Sequence, residues 1–435
     1  MSGPGPTVTL TRGGAVVVVV AIEGAIALAS TAGAAPAALI AVAAIGVALA
    51  VTNPTMLAVL CLPATFVTLR LSAGSVDLSY ADAGLLTSLL ACGLFAPWRD
   101  RAFRRLVSVA GIYFGLLALA AALQPSMRAL IEWGHRVALV LGSAAVGAAI
   151  ARHGRAHQAL RAFVLAGIVV AVEAVRATLA DNLRPAYPFT FNKNAAGMLL
   201  ASALVVVLTS SPTLRWPKGL THALALPLLA GALACQSRMA LAALVVVLLL
   251  NGIHRRRSAG LLSLLGIGAS VAMVWATRRT FTERGEGSQF NSLNTRLATY
   301  ERALELSSHH RIAGLGLRYW QDRSLAVGEP HNLVIAALGE TGVIGVAALV
   351  VLNVLVIAVL RTRRTSLSRL AIYMLLVQLI DGLGDIYWRA GTGTLPWLVV
   401  GLALGAAPAA RPGSEAADAP LLPLTVDTRR AAVVG

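Results

Sequence analysis

The chain has 435 residues, of which 57% are hydrophobic and only 13% are charged, and its mean hydropathy is +0.76. A soluble domain carries about 25% charged residues, so this composition excludes two or three ordinary water-soluble domains. The hydrophobic residues fall into about fourteen blocks of roughly 15 to 25 residues, the length that a helix needs to cross a bilayer. The sequence therefore predicts an all-α polytopic membrane protein with about 12 to 14 transmembrane helices.

The formal net charge is +17, and arginine supplies nearly all of the positive charge. In a soluble protein this surplus would suggest nucleic acid as a partner. Here most arginines fall in short loops between apolar blocks, as the positive-inside rule expects, and no basic stretch alternates with aromatic residues. Nucleic acid is therefore excluded as a partner. Cys61, Cys92 and Cys235 lie in or beside apolar segments without partner spacing, so they predict core residues and no disulfide or metal framework.

The blocks divide the chain into four predicted parts. Residues 1–277 hold the first eleven transmembrane helices, 278–330 form one large extracytoplasmic loop, 331–410 hold the last three helices, and 411–435 form a disordered cytoplasmic tail. The predicted spans are 14–31, 35–52, 55–70, 81–97, 106–123, 129–151, 159–180, 194–210, 220–235, 239–253, 260–277, 331–360, 367–386 and 393–409.

The loops between these spans alternate in charge. Sixteen basic residues lie in one set of loops and five in the opposite set, which predicts that both termini are cytoplasmic. The first block follows Arg12 and ends in Ala-Leu-Ala-Ser-Thr-Ala-Gly. We interpret it as a retained span, with a cleaved signal peptide as the alternative; the topology of the later spans is the same in both cases.

The loop 278–330 is far longer than a connection requires, and such loops are usually functional or disordered. Leu293, Leu297, Tyr300 and Leu304 recur at helical spacing, and Asn294 is a candidate N-cap for this helix. The loop also holds eight arginines, which favours an anionic ligand. The alternative is a basic loop that is merely solvated.

His331 is the best candidate for acid–base chemistry. It follows Glu329-Pro330 at the start of the twelfth span, and proline favours the first helical position, so His331 is predicted to lie in the first helical turn. There the helix dipole and the basic loop disfavour the imidazolium, although Glu329 opposes both. A neutral imidazole is what a general base requires. The alternative is a polar cap at the membrane interface.

Other polar residues are predicted on the same outer face. Arg238 follows a tight turn and, with Arg296 from the loop, would be able to grip a diphosphate; alternatively it reaches out to lipid headgroups. Asn192, Lys193 and Asn194 open the eighth span, where amides and a lysine suit an anion or a sugar, although helix capping explains the asparagines equally well.

Charged residues also fall within the predicted spans. Glu132 with Arg136, and Glu173 with Arg176, stand four and three residues apart, which favours neutralising intrahelical pairs over proton relays. Asp381 and Asp385 share one helix face near the outer end of the thirteenth span, where either would be able to line a cavity. No cluster of His, Cys and acids has metal-ligand spacing, so no metal and no cofactor is predicted.

Taken together, the residues from about 180 to 360 resemble the O-antigen ligase and O-antigen polymerase superfamily of bacterial envelope glycosyltransferases. The fourteen predicted spans, where ligases usually have twelve, and Lys193 depart from the family pattern. The motifs that carry the resemblance occur here as Asn192-Lys-Asn194-Ala-Ala, Ser237-Arg238, Arg296-Leu-Ala-Thr-Tyr300, Gly314-Leu-Gly316, His331-Asn332 and Glu340-Thr-Gly342-Val-Ile-Gly345.

The resemblance implies a GT-C-like architecture in the bacterial cytoplasmic (inner) membrane. It implies transfer of a glycan from undecaprenyl diphosphate to a hydroxyl of an acceptor glycan or glycolipid, by a metal-independent inverting reaction at the extracytoplasmic face. In that reaction His331 would be the catalytic base, and Arg238 and Arg296 would bind the donor diphosphate. Residues that the resemblance marks as candidates for substrate binding are Asn192, Lys193, Asn194, Tyr300, Asn332 and Glu340.

Two other classes of protein remain open at the level of sequence. A transporter or flippase of polyprenyl-linked glycans would share the spans and the basic cavity, but it would not need His331 and would more often show helices broken at the bilayer midplane. A non-catalytic envelope scaffold would need neither His331 nor Arg238. Ligase and polymerase differ in their acceptor, which the residues do not name.

Overall fold

The structure is a computed structural model that describes residues 53–73, 76–123, 125–255, 264, 267–272, 292–322, 328–386, 388 and 391–406. Several predictions lie outside these residues: the first two spans, the signal-peptide alternative, most of the eleventh span, the first part of the large loop and the tail.

The described residues include fourteen α-helices and one hairpin of two strands, besides short 3₁₀ turns and the helical residues 264 and 267–272. A π-helical segment, Ala138–Gly142, lies within the fourth of these helices. The elements are α1 Pro54–Ala64, β1 Arg70–Ala73, β2 Val76–Ser79, α2 Tyr80–Cys92, α3 Arg101–Leu123, α4 Met127–Arg152, α5 Ala156–Ala180, α6 Lys193–Thr209, α7 Ser211–Leu214, α8 Lys218–Cys235, α9 Arg238–Arg255, α10 Ser292–Ser307, α11 Tyr319–Asp322, α12 Leu333–Arg363, α13 Ser366–Gly382 and α14 Leu395–Gly405.

By length and composition, five of the described helices are able to cross a membrane, namely α3, α4, α5, α8 and α12, and five shorter apolar helices accompany them. Each of these ten coincides with a predicted span to within a few residues. The predicted all-α polytopic membrane fold is therefore confirmed. The antiparallel pair β1–β2, which joins α1 to α2, is a local addition that the apolar pattern did not indicate.

The centre of the molecule is built from α6, α14 and the second half of α4, whose side chains are buried on nearly all sides. A helix that is apolar all round is buried in this way, whereas long helices at the rim expose leucine and valine toward the lipid. The packing of α4 against α14 depends on small residues. A side chain at Gly401 would collide with the carbonyl of Ala144, and one at Gly147 would collide with the carbonyl of Leu398.

The described part of the large loop packs on α12. Helix α12 is kinked at Gly342, which has φ +65° and ψ −166°, and the chain at Gly314 approaches this kink so closely that any side chain would collide with the backbone of Glu340 and Thr341. Backbone hydrogen bonds join the two segments: Leu315 N–H donates to Gly339 O over 2.7 Å, and Val343 N–H donates to Arg311 O over 2.8 Å.

Helix α10 is present as predicted, but two details differ. It begins at Ser292, so Asn294 lies inside the first turn and is not the N-cap. The predicted apolar face is not the buried one, because Leu297 and Leu304 are 48% and 46% exposed while Ala303 is fully buried. The buried face instead carries the small side chains of Ala303 and Ser307.

We expect Gly401→Val to destabilise the protein by about 1–3 kcal/mol, because a branched side chain would overpack the contact between α14 and α4. The matched control is Gly111→Val on α3, where an added side chain meets nothing within 4 Å. The measurement is thermal unfolding in detergent. A melting temperature lowered equally in both variants would contradict the close packing of α4 on α14.

Candidate active site

Two of the predicted site residues bind the turn that follows α13, and a third binds the backbone of His331. Arg296 on α10 donates from Nη1 to the carbonyl of Gly384 over 2.7 Å, and Asn332 donates from Nδ2 to the neighbouring carbonyl of Leu383 over 2.9 Å. Tyr300, one turn along α10 from Arg296, donates its hydroxyl to the carbonyl of His331 over 2.6 Å. The loop helix and the start of α12 are thus tied to the same turn.

His331 lies just before α12 rather than in its first turn, which corrects the prediction. The helix begins at Leu333, and Asn332 is its N-cap, since its side chain accepts hydrogen bonds from the N–H groups of Val334 and Ile335. His331 Nδ1 lies 3.0 Å from the carbonyl oxygen of Glu329. Because a carbonyl only accepts, Nδ1 carries the proton, and in the neutral ring Nε2 therefore carries the lone pair.

Arg238 opens α9 beside this cluster. The next residue, Met239, packs so tightly on Gly384 that a side chain there would collide with it. Gly384 is also the residue whose carbonyl accepts from Arg296, so the start of α9 and the Arg296 side chain contact the same turn. On the other side, Ser237 packs against Gly197 of α6. The structure therefore brings positions 238, 296 and 331 to one region from three separate stretches of chain.

Burial raises the pKa of Tyr300 above its ordinary value, although the Arg296 cation acts in the opposite direction and Asp385 adds to the rise. The phenol therefore keeps its proton at neutral pH and remains a donor to the His331 carbonyl. Asp381 is buried in α13, whereas Asp385 lies beyond the end of that helix, so the two do not share a helix face as predicted. Asp385 accepts the N–H of Ile386 and lines a small cavity with Asn332.

Asn192 is the N-cap of α6: its Oδ1 accepts from the N–H groups of Asn194 and Ala195 over 2.9 and 3.3 Å. The capping interpretation is thus confirmed for Asn192, while Lys193 and Asn194 belong to the first helical turn. Asn192 also lines a cavity, so capping does not account for its whole environment.

Glu340 is buried and is bound to two different parts of the chain. Its Oε2 lies 2.5 Å from Arg136 Nη2, and its Oε1 accepts the N–H of Arg318 over 3.2 Å. Arg136 is held at the same time by Glu132, with Nε 2.8 Å from Oε1, and it lies over the ring of Trp388. The predicted pair of Glu132 and Arg136 is confirmed, but Arg136 also binds Glu340, so the ion pairs connect α4 to α12. Glu173 and Arg176 form the predicted pair on the exposed side of α5.

Residues that the sequence analysis did not assign to the site line a cavity of about 400 Å³ beside it. His135 Nε2 lies 3.0 Å from Asp82 Oδ1, and its Nδ1 lies 3.8 Å from Glu132 Oε2. Within the described part of the chain, no group of His, Cys, Asp and Glu is arranged to hold a metal ion. Asp82 and His135 lie 53 positions apart in sequence, so no local motif signals their contact.

The site therefore combines a loop helix, a capped membrane helix and two arginines at one end of a helical membrane protein. Residues 223–350 match the family model described as O-antigen ligase. This confirms the resemblance to the O-antigen ligase and polymerase superfamily, and the match contains Arg238, Arg296, Tyr300, His331, Asn332 and Glu340. It supports, as a general class, a glycosyltransferase of the O-antigen ligase or polymerase type. No curated protein matches the chain.

We expect Arg136→Met to destabilise the protein by about 3–5 kcal/mol, because it leaves the buried Glu132 and Glu340 without their cation. Arg176→Met, which breaks the exposed pair on α5, is the matched control and should leave the melting temperature unchanged. The measurement is thermal unfolding of both purified variants. Equal melting temperatures for Arg136→Met and the wild type would show that the buried network contributes nothing to stability.

Proposed function

We propose that this protein transfers a glycan from an undecaprenyl diphosphate carrier to a hydroxyl of an acceptor glycan or glycolipid at the extracytoplasmic face of the bacterial inner membrane. The observation that carries the proposal is that Arg296, together with Asn332 and Met239, the chain neighbours of His331 and Arg238, contacts one turn. These residues all lie within the segment that matches the O-antigen ligase model. The predicted orientation, with both termini in the cytoplasm, would put this turn on the side where lipid-linked glycans are displayed.

Displacement of a diphosphate from an anomeric carbon builds negative charge on the leaving oxygen. Cations already in position stabilise such charge without reorganisation during the reaction. Arg296 uses one of its five N–H donors on Gly384 and is oriented by that bond, so its guanidinium is suited to hold a phosphate group. Arg238, at the same turn, would supply the second guanidinium, and the reaction as proposed assigns no step to a metal or cofactor.

The acceptor hydroxyl must lose its proton as it attacks. The hydrogen bond from His331 Nδ1 to Glu329 O orients the ring, and the lone pair on Nε2 would accept this proton. The C–O bond to the acceptor forms on the face opposite the leaving diphosphate, so the anomeric configuration inverts. Tyr300 holds the backbone of His331 and Asn332 holds the start of α12, which makes them positioning residues in this proposal.

We expect His331→Ala to abolish the surface glycan that depends on this protein, because no other group is assigned to take the proton. The measurement is a surface-glycan profile of the source organism lacking the gene, complemented with wild type or variant at equal protein level. His153→Ala is the matched control, because His153 Nδ1 also contacts a backbone carbonyl but lies at the opposite end of α4, and this variant should restore the profile.

Full rescue by His331→Ala would contradict the catalytic proposal, and transport of the lipid-linked glycan would then become the leading account. The glycan that remains in the deleted strain distinguishes the subclass. Single repeat units indicate a polymerase, and long unattached chains indicate a ligase.

We expect Arg296→Lys to lower kcat/KM for the lipid-linked donor by roughly tenfold or more, because lysine keeps the charge but loses the planar fork that binds phosphate. Arg238→Lys should behave alike. The matched control is Arg302→Lys, on an exposed face of α10 where it pairs with Glu305, and it should not change kcat/KM. The measurement is transfer in isolated membranes; an equal effect of all three substitutions would argue against a specific diphosphate site.

A further inference from the structure

The cavity of about 400 Å³ lies beside the turn that follows α13, but Leu383 and Gly384 of this turn do not line it. Neither His331 nor the two arginines assigned to the diphosphate line this cavity. Its walls come from the hairpin, from α2, α4 and α6, and from the loop segment around Arg318 and Glu329. The mechanism derived above assigns no role to this cavity, although its volume falls in the usual range for a ligand pocket.

The polar wall of the cavity is held in place before any ligand arrives. Asp82 accepts from the N–H of Ser79 in a capping box and pairs with His135, and His135 lies next to Glu132. Glu132 in turn is bound by Arg136, whose other partner is Glu340. Side chains fixed in this way lose little entropy on binding, which is what recognition of a flexible, hydroxylated ligand requires.

Other groups at the wall have capacity for hydrogen bonds. Asn192 uses Oδ1 for capping, so its Nδ2 group remains a donor at the cavity wall. Gln321 donates from Nε2 to Glu329 over 3.0 Å, while its Oε1 is buried and accepts no hydrogen bond from the described residues. Gln321 thus orients Glu329, whose side chain lies at the cavity wall.

The charge of the wall excludes a second diphosphate. Asp82, Glu132 and Glu329 contribute three carboxylates, and His135 and Arg318 contribute the cationic groups. The lining therefore holds three carboxylates against two basic side chains, so an entering anion would meet a surplus of carboxylates. Carboxylates accept readily from hydroxyls, and Phe191 and Trp388 add aromatic surface. These features match an uncharged saccharide.

The cavity borders a smaller cavity near the turn after α13. This smaller cavity, lined by Asn332 and Asp385, shares four residues with it, namely Gln321, Glu329, Ile386 and Trp388. Glu329 is the residue whose carbonyl orients His331. A saccharide in the larger cavity would therefore contact Glu329, the residue that orients the proposed base.

We propose that this cavity is a subsite for an uncharged saccharide, held by Asp82, Glu132, Asn192, Gln321 and Glu329, and that it disfavours sugars carrying carboxylates. The proposal rests on the function proposed above, because that function supplies the glycan. The sugar comes either from the donor or from the acceptor, which share this chemistry.

The test uses purified full-length His331→Ala protein in lipid nanodiscs, so that no ligand is consumed. Hydrogen–deuterium exchange is measured with the oligosaccharide released by mild acid from the lipid-linked glycan of the deleted strain, with the delipidated acceptor glycan, and with undecaprenyl diphosphate alone. We expect one of the two saccharides to protect residues 78–82, 132–135 and 190–195. Which one does so identifies the source, and protection by undecaprenyl diphosphate alone, or by neither saccharide, would overturn the proposal.

Charge selectivity is tested with the protecting saccharide after its primary hydroxyls have been oxidised to carboxylates. We expect its affinity to fall by about tenfold or more; unchanged or tighter binding would contradict the charge argument. Thr190→Trp should block the cavity without removing a side-chain hydrogen bond between described residues, whereas Tyr187→Trp, on the same loop but outside the cavity, should bind the saccharide normally. If the saccharide does not bind this cavity but transfer still requires His331, the subsite proposal is overturned and the proposed function stands.

Discussion

The buried ion pair between Arg136 and Glu340 is the interaction on which the geometry of the site depends. It joins α4 to α12 inside the protein, where both side chains are only 3% exposed, and an ion pair in such a setting is stable only when further hydrogen bonds satisfy both partners. Glu132 supplies these bonds to the arginine, and the backbone N–H of Arg318 supplies one to the glutamate. The network therefore couples two membrane helices to the large loop.

The kink at Gly342 completes this coupling. It turns the backbone of α12 so that helix and loop form hydrogen bonds in both directions. Gly339 O of the helix accepts from the loop, and Arg311 O of the loop accepts from the helix. Trp320 is fully buried and packs against Gly339, where a side chain would collide with the indole ring. Its indole N–H donates to Ala336 O. The loop is thus packed on the first turns of α12, and the position of His331, just before those turns, follows from that packing.

The arrangement separates two chemical environments within a short distance. On one side, Arg296 binds the turn after α13, and the start of α9, where Arg238 lies, packs on the same turn; these are the residues proposed to bind phosphate. On the other side, carboxylates and amides line a cavity that is suited to hydroxyl groups. Glu329 borders both, because its side chain faces the cavity with Gln321 and its carbonyl binds the ring of His331. Such a division would allow a diphosphate and a sugar to be held at once without competing for the same groups.

The sequence by itself determined the membrane fold, the approximate bounds of the helices and the pairs Glu132–Arg136 and Glu173–Arg176. It also showed the resemblance to the O-antigen ligase and polymerase superfamily. Hydropathy, helical spacing and ordered motifs are local properties of the chain, which is why the sequence alone determined these features. It misplaced the cap of α12, the buried face of α10 and Asp385, since caps and faces depend on what packs against them. Only the tertiary structure decided that Arg136 binds Glu340 from 204 positions away, and that Asp82 and His135 line a cavity with Asn192. Contacts between residues far apart in sequence leave no periodic signal, because each partner satisfies its own helix pattern whether or not the other is present.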